Sequence, residues 1–170
     1  MGWFFEISIE CGNDELLARS NAAHFEGFSF AISKSLQSTC SAGVINDGDG
    51  NWWGIACPSG LSTSGISTYE EAQDMTVAGK HLYERLFSSP PFRYAIAGVE
   101  TDQFRTFSEL KEMDIGLYDK LPGLVLCEET WESVGKPAGF VEFRPGYVWR
   151  PYLGLEAIPQ HGCWRWGLRV

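Results

Sequence analysis

Residues Phe140–Leu153 read FVEFRPGYVWRPYL. Phe140 and Phe143 precede Arg144-Pro145-Gly146, and Tyr147, Trp149 and Tyr152 follow it. Proline and glycine between two runs of aromatic and β-branched residues mark a tight turn, so this stretch predicts two antiparallel strands. It is the densest regularly patterned aromatic run in the chain. Aromatic residues fall on both faces, so the two-residue period assigns neither face to the core.

Upstream, Thr68 with Glu71 three residues on is a capping box. Ala72, Met75, Gly79, Leu82 and Leu86 follow at helical spacing, and Ser88-Ser89-Pro90-Pro91 stops the run. This predicts a long amphipathic helix over about 68–88. Gly79 in its interior costs about 1 kcal/mol against alanine and implies a close contact, expected with a sheet. Phe92–Glu100 and Pro122–Cys127 read as strands. Glu128–Val134 reads as a short helix, while Thr101–Asp114 fits either a strand extension or a helical turn. Near the start, Phe5, Ile7 and Ile9 alternate with Glu6 and Ser8 as in a strand. Asn13 or Asp14 then caps a short helix. Phe28, Phe30 and Ile32 alternate as a second strand. Ala42–Ile45 and Asn51–Ala56 flank Asp47-Gly48-Asp49-Gly50, a hairpin signal. Strands, one long helix and more strands predict an α+β domain over 1–170, with a mainly antiparallel sheet and the 68–88 helix on one face. Pro90-Pro91 is the one candidate internal joint.

The net charge is -9 over 170 residues, which opposes binding to nucleic-acid phosphates. It suits a basic protein partner. Seven tryptophans supply either core bulk or binding anchors. The five cysteines, at 11, 40, 57, 127 and 163, show no C-x-x-C spacing and are odd in number. That argues for reduced thiols rather than a disulfide framework or a zinc site. The start MGWFFEISIE lacks the basic segment and apolar run of a signal peptide. No stretch is apolar enough to span a membrane. The expectation is a cytoplasmic protein with no membrane and no nucleic-acid partner.

Reaction motifs are weak. Asp47, Asp49 and Asn51 resemble the first positions of a calcium loop, but Trp52 and Pro58 replace the required glycine and glutamate. The glycines of Gly60–Ser67 have phosphate-loop spacing without the lysine. Neither a metal nor a cofactor is expected. Cys57 is the thiol best placed to pair with His24 in a nucleophile system, against an inert buried cysteine. Glu100 and Asp102, two residues apart at a strand end, would share one strand face as an acid–base pair, against a charged strand exit.

The aromatic constellation carries more. Trp131, Tyr147, Trp149, Arg150 and Tyr152, with Trp164 and Trp166 in the tail, are residue types enriched at interface hot spots. The competing reading buries alternate members in the core. Gly123-Leu-Val-Leu, Trp131, Gly135-Lys-Pro137, Phe140 and Tyr147-Val-Trp149-Arg-Pro151-Tyr152 together resemble the C-terminal part of uncharacterised bacterial proteins, some of them immunity proteins of toxin systems. The resemblance covers about the last third and names no catalytic residue. It implies a small acidic protein that acts by binding a partner. The expected function is thus a non-catalytic protein-binding module, of immunity or assembly type. The alternative is a small enzyme or ligand-binding domain with a carboxylate-lined pocket between sheet and helix.

Overall fold

Phe5–Glu10 forms strand β1, and all six of its residues are buried. Such burial requires a strand inside a sheet and covered on both faces. The structure, a computed structural model that describes residues 4–154, shows how this arises. Helix α1 is Glu15–Phe25, followed by strands β2 (Ser29–Ala31), β3 (Gln37–Asn46) and β4 (Trp52–Pro58). Helix α2 is Tyr69–Leu86, and β5 is Tyr94–Val99. A 3-10 turn at Thr101–Gln103 leads to helix α3 (Phe107–Glu112) and a second 3-10 stretch at Ile115–Lys120. Strand β6 (Val125–Cys127), helix α4 (Glu128–Ser133) and strands β7 (Val141–Arg144) and β8 (Tyr147–Trp149) complete the described chain.

The class is α+β. Eight strands form one open sheet in the order β2-β3-β4-β1-β5-β6-β8-β7, and every neighbouring pair is antiparallel. Strands from before and after Pro90-Pro91 lie side by side, β1 pairing with both β4 and β5. No helix among the described residues is long and apolar enough to cross a membrane.

Two cores flank the sheet. On one face, Phe5, Ile7 and Ile9 of β1 pack with Ala18 and Phe25 of α1 and with Met75, Ala78, Leu82 and Leu86 of α2. On the other face, Trp53, Ile55, Tyr94 and Ile96 pack with Leu110 of α3, Tyr118 and Leu121. Full burial of each large aliphatic side chain contributes about 1.5–3 kcal/mol. Helix cover on a single face was therefore half of the arrangement, because the segment after β5 folds over the second face.

Local chemistry fixes the helix starts. Asp14 Oδ1 accepts the Leu17 N–H at 2.9 Å at the head of α1. At α2, Thr68 Oγ1 accepts the Glu71 N–H, and Glu71 Oε2 accepts the N–H groups of Ser67 and Thr68 at 2.6 and 2.9 Å. Those amide bonds hold the Glu71 carboxyl below its ordinary range. The glycine in α2 has a different cause from the one expected. A Cβ on Gly79 would stand 2.5 Å from Tyr152 Cζ, so the close neighbour is a tyrosine ring from the chain after β8, not a strand.

Candidate functional site

The polar side of β1 is buried as completely as its apolar side: Glu6, Ser8 and Glu10 are 4%, 0% and 0% exposed. Glu6 Oε1 accepts the Asp102 N–H at 2.7 Å, and Oε2 accepts the Cys57 S–H at 3.3 Å. Ser8 Oγ lies 2.9 Å from Thr101 Oγ1. Glu10 accepts from Arg93 Nε at 2.7 Å, from Arg93 Nη2, and from the Gly12 N–H at 3.1 Å. Arg93 Nη2 also reaches Asn51 Oδ1 at 3.0 Å, and its guanidinium carbon lies 3.9 Å from the centroid of the Phe107 ring. Three donors and, among the described residues, no acceptor bonded to Glu10 suit a carboxylate ion. Burial pushes the Glu10 carboxyl up while Arg93 pulls against it. Burial works against the Arg93 charge, yet Glu10 outweighs it and the guanidinium is held above its ordinary range.

This arrangement brings two of the expected catalytic candidates together and separates the others. Cys57 and Asp102 meet at Glu6: Asp102 donates its backbone N–H, and its exposed carboxylate stands near enough to help push the Glu6 carboxyl up. Strand β5 ends at Val99, and Glu100 takes a left-handed φ of 53° before the 3-10 turn. Glu100 and Asp102 therefore do not share a strand face, because the chain turns between them. His24 belongs to the α1–α2 side, where its Nε2 lies 2.9 Å from the Arg85 carbonyl oxygen and Arg85 donates back to the His24 carbonyl. Cys57 packs on the opposite core, so the sheet separates it from His24. Burial first, and the Glu6 contact second, push the Cys57 thiol up to about 12. It is held as a thiol, the poor nucleophile. Burial likewise pushes Glu6 up. In the Asp47–Asn51 turn, Asp47 Oδ1 accepts the N–H groups of Asp49 and Asn51, and Oδ2 accepts Trp53 Nε1–H at 2.9 Å. The carboxylate that resembled a calcium ligand is thus occupied in shaping the turn. Among the described residues, no group of three or more His, Cys, Asp and Glu is placed to hold a metal.

The second candidate is a surface cleft of about 650 Å³ between α2 and the β7–β8 hairpin. Arg144 fixes its two walls together. This side chain donates to the carbonyls of Leu86, Phe87 and Ser89 at 3.2, 3.0 and 2.8 Å, at the C-terminal end of α2. A cation there also complements the helix dipole. The Arg144 guanidinium lies 4.2 Å from the Tyr147 ring centroid, and the Tyr147 hydroxyl donates to the Phe92 carbonyl at 3.1 Å. At the other end Tyr152 lies over Gly79, with its ring centroid 5.2 Å from that of Tyr83. Tyr83 is 5.4 Å from Trp149, Trp149 is 5.1 Å from Phe143, and Phe143 is 5.8 Å from Phe87. The five rings make one continuous wall. Lys80, Glu84 and Glu142 stand at the rim, and all three are exposed.

The expected partner-binding residues divide accordingly. Trp149 and Tyr152 line the cleft, while Tyr147 supports the wall from behind. Trp131 packs on the second core and donates Nε1–H to the Pro137 carbonyl at 3.1 Å. Arg150 pairs with Asp119 at 2.7 Å. Trp164 and Trp166 lie outside the described residues. Glu6, Glu10, Arg93, Tyr83 and Glu142 were not singled out from sequence. Their strands and helix were legible, but their meeting depends on the topology. Comparison with known protein families, with curated proteins and with solved structures finds no match to this chain.

Proposed function

We propose that this protein is a non-catalytic protein-binding module, of immunity or assembly type, that receives its partner on the cleft between α2 and the β7–β8 hairpin. The observation that carries the reading is the aromatic wall. Trp149, Tyr152 and Phe143 are half-buried and Phe87 is 54% exposed, so large ring area remains open to a partner. Tryptophan and tyrosine in such a setting are the residue types that dominate binding energy. A net charge of -9 adds long-range steering of a basic partner. The buried polar cluster under β1 supports the reading from the other side. Both Glu6 oxygens are engaged and Cys57 is held as a thiol, so this cluster serves the fold rather than a reaction.

Affinity capture from the source cell, with wild-type bait and two cleft variants, tests this. Phe87→Ser and Glu142→Lys alter exposed positions that line the cleft. The expected result is one stoichiometric partner that is retained by wild type at low salt, lost at high salt and lost with either variant. A partner captured equally by all three baits, or no partner at either salt, contradicts the proposal.

A further inference from the structure

The chemistry of the cleft specifies what enters it. We propose that its occupant is a cationic side chain, arginine or lysine, presented by the partner protein and held between the aromatic wall and the carboxylates of Glu84 and Glu142. This rests on the protein-binding reading and names the group that reading leaves open. The faces of Trp149 and Tyr152 carry the negative end of the ring quadrupole, which attracts a cation within about 6 Å. Two carboxylates stand at the rim against one ammonium, Lys80. Among the described residues Glu84 engages only the His81 ring, at 3.0 Å, and Glu142 has no ion-pair partner. Arg144 and Arg150, next in sequence to Phe143 and Trp149, are already committed, Arg144 to the carbonyls that end α2 and Arg150 to Asp119. The cleft therefore presents aromatic faces and acidic charge together, with no guanidinium lining it among the described residues. An anionic occupant would meet two like charges for each opposite one. A purely aliphatic occupant would leave the carboxylates without a role.

The test is a titration of the full chain with three capped tripeptides, Gly-Arg-Gly, Gly-Lys-Gly and Gly-citrulline-Gly, followed by the Trp149 indole N–H resonance. Citrulline keeps the shape of arginine without its charge. The expected result is a saturable Trp149 shift with the arginine and lysine peptides and binding at least about 5-fold weaker with citrulline, the scale of a cation–π contact joined to a carboxylate. Glu84→Gln with Glu142→Gln is expected to narrow that difference to the smaller preference the aromatic faces supply, while leaving the remaining tryptophan resonances in place. Equal binding of arginine and citrulline peptides, or no Trp149 shift with either cation, overturns the proposal. Those results leave the protein-binding reading standing if Phe87→Ser still abolishes capture of the partner. Capture that is indifferent to Phe87→Ser removes both.

Discussion

Replacing Arg93 by methionine isolates a single buried carboxylate. In the native chain Glu10 is 0% exposed and is bonded twice by Arg93 and once by the Gly12 amide. Methionine keeps an unbranched apolar side chain but removes the guanidinium, and with it both charged bonds and the contact with the Phe107 ring. Breaking one side of a buried pair costs about 3–5 kcal/mol. The Arg93 side chain is 30% exposed, so water can enter where the guanidinium was, and the lower end, about 3 kcal/mol, is expected. The sign with pH follows from the proton. Without Arg93 the folded pKa of Glu10 rises further above its unfolded value, so the folded state binds the extra proton. The variant's stability is then present below about pH 4.3 and falls as pH rises toward the new folded pKa, by up to about 1.4 kcal/mol per pH unit. Urea unfolding of both proteins from pH 4 to 8 reads this directly. The expected result is a small deficit near pH 4 that grows to about 3 kcal/mol at pH 7, and that Glu10→Gln reduces in the same background. A deficit below about 1 kcal/mol, or one flat across pH, would refute the assignment of Glu10 as a buried ion held by Arg93.

Gly79→Ala should lower stability by about 1 kcal/mol in the native chain and raise it in the Tyr152→Ala background, where the helix preference for alanine is no longer opposed by the ring; thermal melts of the four proteins give the cycle. Arg144→Gln should cost about 1–2 kcal/mol by leaving the last α2 carbonyls without their cation, and should also weaken partner capture by releasing one wall of the cleft. Cys57 should resist iodoacetamide at pH 8, since its thiol is pushed up to about 12, and should label several-fold faster in Glu6→Gln, as read by mass spectrometry of the native protein. Unchanged labelling would mean that Glu6 does not set its reactivity.

Elements with strong local signals were legible in the sequence. The capping box at Thr68–Glu71, the proline stop after α2 and the Asp-Gly hairpin each rest on bonds between near neighbours. The α+β class with an antiparallel sheet followed from their order. What escaped was set by contacts distant in sequence. The Glu6 and Ser8 alternation in β1 looked like an ordinary polar strand face. Its burial arises because the segment after β5 returns over it, placing the Asp102 amide on Glu6 and Thr101 on Ser8. Glu100 and Asp102 read from sequence as sharing a strand face because nothing in it announces a left-handed residue at 100. Gly79 correctly signalled a close approach, but its neighbour, Tyr152, lies 73 positions later in the chain. The aromatic hairpin resisted assignment for a physical reason. Phe143, Tyr147 and Trp149 pack toward the α1–α2 core while Phe140 and Val148 pack toward the other, so both faces carry apolar load.

Hydrogen exchange on the complex with its captured partner tests the cleft most directly. The account predicts slowed amide exchange confined to residues 80–87, at the end of α2, and 141–152, the hairpin and the residues just after it, with β2, β3 and α1 unchanged. Protection at β2 and β3 with the hairpin exchanging as in the free protein would contradict it.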